Sequence, residues 1–161
     1  MATRPSLGEL KHPVHLLALG FGSGLAPYAP GTAGSVVGLL LAWLMSNLAW
    51  AWQAGIALLV TLAGIWICGA SSRRLGVHDH PAIVLDEIAA MLLLALAVPF
   101  GWPWLLAAFA LFRVFDIAKP WPIRDVDHSM SGGLGIMLDD VLAAVYAAIC
   151  LRLVHFVLQV I

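Results

Sequence analysis

Charge in this chain is confined to short clusters that interrupt long apolar stretches. The apolar stretches cover residues 33–52, 54–70, 88–98, 101–112 and 141–161. Between them lie Arg73-Arg74, then His78-Asp79-His80 with Asp86-Glu87, then Arg113, Asp116, Lys119 and Arg124, and last Asp139-Asp140. A charged side chain at the centre of a bilayer costs about 2.5–3.5 kcal/mol even on the lenient insertion scale. Carboxylates and cations gathered at the ends of apolar helices therefore imply a polar site at a membrane surface, suited to a charged lipid headgroup. Hydrophobic residues make up 62% of the chain and charged residues 11%, against roughly 45–50% and 25% in soluble domains. Mean hydropathy is +0.97. The expected fold is all-α: one membrane-embedded domain over residues 1–161, a polytopic bundle of about four to five hydrophobic helices with polar loops on the cytoplasmic side. A net charge of −1 offers no field for nucleic acid. Cys68 and Cys150 both fall in apolar stretches and read as small apolar residues rather than as a disulfide or metal pair. The polar N-terminal arm lacks the pattern of a cleavable leader.

Basic residues set the expected topology. A helix needs about 20 apolar residues to cross a hydrocarbon core of about 30 Å, which residues 33–52 supply and residues 55–70 nearly do. Arg4 and Lys11 in the arm, Arg73-Arg74, and Arg113, Lys119 and Arg124 all lie inside if basic links stay cytoplasmic. That rule demands an even number of crossings between residues 87 and 113. Pro99-Phe100-Gly101-Trp102-Pro103 can provide it by turning the chain. A hairpin of two short helices is the preferred reading over one kinked helix. The uncharged link at Trp50-Ala51-Trp52-Gln53 and the tryptophans at 102 and 104 then mark the opposite face as an aromatic belt.

Four motifs carry chemistry. Gly20-Phe21-Gly22-Ser23-Gly24 precedes a stretch in which Thr32 or Ser35 would cap the first membrane helix and offer an anion site; a plain re-entrant turn fits equally well. Asp86-Glu87 at a helix start suits the helix dipole, but two acids at a lipid boundary also suit a hard cation such as Mg²⁺. His78 and His80 read as polar support for that pair more than as ligands. Asp116 sits at the helix end that disfavours a carboxylate, with Arg113 and Lys119 three residues to either side; these cations and Arg124 suit phosphate. Gly132-Gly133-Leu134-Gly135 leads to Asp139-Asp140, again a glycine-rich loop feeding an acidic pair at the expected start of the last helix.

GFGSGLAPYAPGTAGS, VHDHPAIVLDE, FRVFDIAKPWPIRDVD and GGLGIMLDD closely resemble, in order and spacing, the signature blocks of the bacterial phosphatidylglycerophosphatase A family. The resemblance implies a Mg²⁺-dependent phosphatase of the inner membrane, its site facing the cytoplasm, that converts phosphatidylglycerophosphate to phosphatidylglycerol. It assigns Asp86, Glu87, Asp116, Asp139 and Asp140 to the acidic site. In the mechanism expected from it, these acids hold one or two Mg²⁺ ions that activate a water. Arg113, Lys119, Arg124, Thr32 and Ser35 engage the phosphate, and Asp86 or Asp140 takes the proton, with attack by an aspartate as the alternative. The partner is a phospholipid; oligomeric state is left open. The rival reading is a carboxylate-based ion transporter, which would place acids near the bilayer midplane and repeat its helices in two matching halves.

Overall fold

The computed structural model describes residues 5–160, the side chain of Asp127 aside; Arg4 lies outside that range. The described residues form helices joined by turns and loops, without a strand: α1 Pro13–Ala18, α2 Pro30–Met45, α3 Trp50–Leu75, α4 Leu85–Ala97, α5 Trp102–Ala118, α6 Ile123–Ser129 and α7 Gly132–Val160. Helices α3 and α7 are, among the described residues, the two long and apolar enough to cross a membrane; α2 is apolar but shorter. At 1.5 Å per residue their 26 and 29 residues extend about 39 and 44 Å. The 13 residues of α4 reach only about 20 Å.

Short turns make successive long helices alternate in direction. Trp43 near the end of α2 stacks on Phe100 and Trp102, with ring centroids 5.1 and 4.4 Å apart, so the turns after α2 and α4 share one end of the bundle. At the other end Glu87, in the first turn of α4, lies 3.9 Å from Arg113 near the end of α5. Helices α4 and α5 are therefore an antiparallel hairpin turned at residues 98–101, and a single kinked helix is excluded. The main core is formed where α4, α5 and α7 meet, around Leu94, Leu105, Phe112 and Ala147.

Several boundaries depart from the sequence-based expectation. The first long helix stops at Met45 instead of residue 52. Trp50 and Trp52 thus begin α3 rather than occupying a loop, and Arg73 and Arg74 form its last turn. The last helix begins at Gly132, so Asp139 and Asp140 lie two turns inside it and not at its start. Gly133 explains the extension. A Cβ there would sit 1.7 Å from the Ile65 carbonyl oxygen and 2.7 Å from the Gly69 nitrogen, so this residue is glycine because α7 crosses α3 backbone to backbone. Gly133→Ala is expected to cost about 2–3 kcal/mol, at the upper end for overpacking, since only backbone can yield. Gly55→Ala, on an exposed stretch of α3 with nothing within 4 Å of the added carbon, should be neutral or stabilising by up to ~1 kcal/mol. Paired thermal melts in one detergent read the difference, and equal melting temperatures for the two variants would remove the crossing as the reason for Gly133.

The Gly20–Leu25 segment is a pair of 3₁₀ turns kinked at Phe21 and Gly22, where φ is positive, and the Val84 amide donates to the Ala18 carbonyl at 2.9 Å. This segment brackets the chain entering α4. The N-terminal arm is held against α3 by buried His15, whose Nδ1 lies 2.8 Å from Ser71 Oγ, and by His12, which contacts Arg74. Burial holds the His15 imidazole below its ordinary value of 6.5, against the opposing pull of Glu9. Cys68 is buried, Cys150 half-buried, and both are free thiols.

Candidate active site

The fold brings the acidic motifs to one place. Asp86 and Glu87 stand in the first turn of α4, Asp116 near the end of α5, and Asp139 and Asp140 in the third turn of α7. All five line a cleft of about 290 Å³, together with Arg113, Lys119, Asp79 and the first residues of α2. Asp86, Asp139 and Asp140 are almost fully buried, at 5%, 6% and 3% exposure. One carboxylate oxygen from each of Asp86, Glu87 and Asp140 lies within 4.8 Å of the others.

Two cations answer six carboxylates. Arg113 Nη1 donates to Asp116 Oδ2 at 2.5 Å and lies 3.9 Å from Glu87 Oε1. Lys119 Nζ donates to Asp139 Oδ2 at 2.8 Å. The sequence spacing had put Arg113 and Lys119 together around Asp116. Instead Lys119 takes the left-handed cap position of α5, with φ 40°, and reaches across to α7. Glu87 Oε2 and Asp140 Oδ2 are buried without a hydrogen-bond partner. A buried carboxylate oxygen with no donor is costly, and clustered carboxylates repel one another in a dry site. Both penalties are relieved by a cation seated among these oxygens. The acids that line the cleft offer hard oxygens and no cysteine is among the lining residues, which is the ligand chemistry of Mg²⁺. The residues therefore fit the metal.

Not every expected residue joins the cleft. Ser35 is fully buried and donates to the Gly31 carbonyl at 2.8 Å. It does not cap α2, whose N-cap is Ala29 with no side-chain bond and with Pro30 in the first turn. Thr32 is half-buried on α2 and Arg124 is exposed on α6; neither lines the cleft. What α2 contributes is its N-terminus. A Cβ on Gly31 would stand 2.2 Å from Glu87 Oε1 and 3.2 Å from Arg113 Nη1, so the missing side chain lets the helix end press against the acidic site.

Asp79 is the residue that sequence reasoning missed. It has a positive φ of 49° and lies between two histidines that both hold backbone. His78 Nε2 accepts from the Gly132 amide at 2.9 Å and His80 Nδ1 accepts from the Ala82 amide at 3.1 Å. In these bonds the histidines hold backbone and not the Asp86-Glu87 pair, and they flank Asp79, a sixth acid in the cleft. The available signal was Asp79's position inside the same motif as Asp86 and Glu87.

The family model for phosphatidylglycerophosphatase A matches residues 16–155. The chain belongs to that family. It is 43% identical to the Escherichia coli phosphatidylglycerophosphatase A over 87% of this chain and 82% of the relative. It is 46% identical to the Haemophilus influenzae protein of the same name over 92% of each. A Bacteroides thetaiotaomicron relative, 41% identical over 89% of this chain and 94% of its own, is provisionally named a phosphatidylinositol-3-phosphatase. No solved structure shows a significant match. Nothing supports the ion-transporter alternative: the acids gather at one end of the bundle.

Proposed function

We propose that this protein is a Mg²⁺-dependent phosphatase that hydrolyses the terminal phosphomonoester of phosphatidylglycerophosphate, giving phosphatidylglycerol and inorganic phosphate. The observation that carries the reading is the cleft itself, a buried cluster of carboxylate oxygens walled by two cations and a helix N-terminus, in a chain of this family. The differently named Bacteroides relative shares the core of the reading, a phosphomonoester on the polyol headgroup of a lipid.

Asp86, Glu87 and Asp140 would hold the metal, with Asp116 and Asp139 completing the acidic wall. When bound, Mg²⁺ supplies Lewis-acid neutralisation of the phosphoryl oxygens. Arg113 and Lys119, already aimed into the cleft by Asp116 and Asp139, balance charge as the phosphoryl group transfers. The α2 N-terminus adds the positive end of its dipole and the amides that lack an acceptor within the helix. Water attacks phosphorus, the bond to the glycerol oxygen breaks, and that oxygen takes up a proton as it leaves. The proton released by the water passes to a cleft carboxylate, for which Asp86 or Asp140 is the candidate, and from there to the departing glycerol oxygen.

The membrane reading extends the same proposal. In this reading helices α2, α3 and α7 and the α4–α5 hairpin would make up a four-to-five-helix multi-pass bundle in the bacterial inner membrane, with α3 and α7 as its two long apolar spans. Lys11, Arg73, Arg74, Lys119 and Arg124 all fall at the site-bearing end, which the positive-inside rule makes cytoplasmic. Trp50, Trp52, Phe100 and Trp102 ring the other end, all exposed, as interfacial aromatics do.

The test is phosphate release by the purified protein from phosphatidylglycerophosphate and from phosphatidylinositol 3-phosphate, with Mg²⁺ and after chelation. We expect release from the first lipid to exceed the second at least tenfold, to vanish in EDTA and to return with Mg²⁺. Undiminished release after rigorous chelation would refute the metal requirement, and a preference for the inositol lipid would move the substrate assignment.

A further inference from the structure

Below the acidic cleft, α4 and α7 enclose a second concavity that the reaction leaves unused. It has a volume of about 200 Å³ and a wholly apolar lining, with Leu93 and Ala97 on α4 and Val141, Ala144, Val145 and Ala148 on α7. Alanines make its floor: Ala144 is 3% exposed, whereas Val145 at the rim is 47% exposed. Elsewhere the outer faces present bulky ridges, such as Leu58, Leu59 and Leu62 on α3 or Val154, Val157 and Leu158 on α7. The concavity between α4 and α7 is open to the side.

Helical register joins this groove to the acids. On α7, Asp140, Ala144 and Ala148 follow one another at four-residue steps; on α4, Asp86, Leu93 and Ala97 are spaced by seven and four. Both series lie along one face of their helix. Each helix thus carries one stripe that is anionic at the site-bearing end and apolar beyond it. From Asp140 to Ala148 the stripe runs about 12 Å, and from Asp86 to Ala97 about 16 Å. A ligand that fills both halves must have a phosphate at one end and a hydrocarbon chain covalently attached at the other.

We propose that the α4–α7 groove binds an acyl chain of the same lipid molecule whose phosphate occupies the acidic cleft. This rests on the lipid-phosphatase reading above and adds to it a chain-binding subsite. The groove makes the enzyme favour diacyl lipid over the free headgroup, and it holds the headgroup at the acids while the lipid stays in the membrane.

The experiment compares two substrates and three variants. The substrates are phosphatidylglycerophosphate with 16-carbon chains and its deacylated, water-soluble headgroup. Ala148→Phe fills the groove, Val145→Phe narrows it from the better exposed rim should the first variant fold poorly, and Ile149→Phe places the same bulk on the neighbouring outer face. We expect the groove variants to raise KM for the 16-carbon lipid at least tenfold with kcat nearly kept, to leave the headgroup's kcat/KM within twofold, and Ile149→Phe to match wild type. Groove variants that behave like Ile149→Phe, or that lose headgroup turnover in equal measure, overturn the proposal. So does a change in oligomeric state by light scattering, which would make the groove a contact between copies of this chain. A 16-carbon probe with a diazirine near mid-chain gives a readout free of turnover. Labelling of residues 93–97 or 141–148 supports the groove, and labelling confined to other segments overturns it. If wild type releases phosphate from neither substrate, the phosphatase reading fails and the probe alone judges the groove.

Discussion

Asp140→Asn is expected to abolish turnover and, in metal-free buffer, to raise the melting temperature. Asp140 is 3% exposed, its Oδ2 has no hydrogen-bond partner, and it shares a 4.8 Å cluster with Asp86 and Glu87. An amide preserves its shape and removes one of several like charges held out of water, relieving their mutual repulsion. The gain should be about 1–3 kcal/mol, or several degrees for a chain of this size. The loss of rate should be at least a hundredfold, about 2.7 kcal/mol or more of transition-state stabilisation. Mg²⁺ should stabilise wild type by mass action and the variant far less. A single scan rate is needed throughout, because detergent melts of such proteins are commonly irreversible. A lower melting temperature with normal turnover would make Asp140 part of the scaffold.

That the carboxylates of separate motifs would meet was legible in the sequence, because they are too costly in an apolar chain to be scattered through it. The hairpin between residues 87 and 113 was legible for a related reason: proline, glycine and tryptophan together leave few ways to continue a helix. What spacing does not encode is direction. Lys119 is three residues from Asp116, yet the left-handed cap turns it to Asp139. Arg124 lies in the same motif, but α6 faces it to the outside. Ser35 looked like a cap, yet it lies one turn inside α2 and donates to the carbonyl four residues back, an outlet open to any serine within a helix. Gly132 to Gly135 read as a loop because glycine weakens an isolated helix. Only the crossing of α3 explains why glycine stays in the helix there, and that contact is 68 residues distant in sequence between Ile65 and Gly133. Asp79 was overshadowed by the histidines on either side, whose ring nitrogens proved to serve the backbone.

Arg113→Met should cost more stability than any other single change in the cleft. The guanidinium lies against Asp116 Oδ2 at 2.5 Å and within 3.9 Å of Glu87 Oε1, with its side chain only 15% exposed. Methionine keeps much of the packing volume and leaves both carboxylates without their cation. Breaking a buried pair in this way costs about 3–5 kcal/mol, a fall of about 6–20 °C for a domain of this length. Lys119→Met should be milder, because the Lys119 side chain, paired with Asp139, is more exposed at 24%. The two roles of Arg113 separate in a double variant. Adding Asp116→Asn to Arg113→Met removes the stranded charge, so the melting temperature should recover by at least half. Turnover should not recover, since the cation proposed to face the phosphoryl group is still missing. Recovery of both would reduce Arg113 to a counterion for Asp116. Recovery of neither would place the damage in the packing of α5 against the start of α4, and the ion pair would no longer be what holds that corner of the cleft.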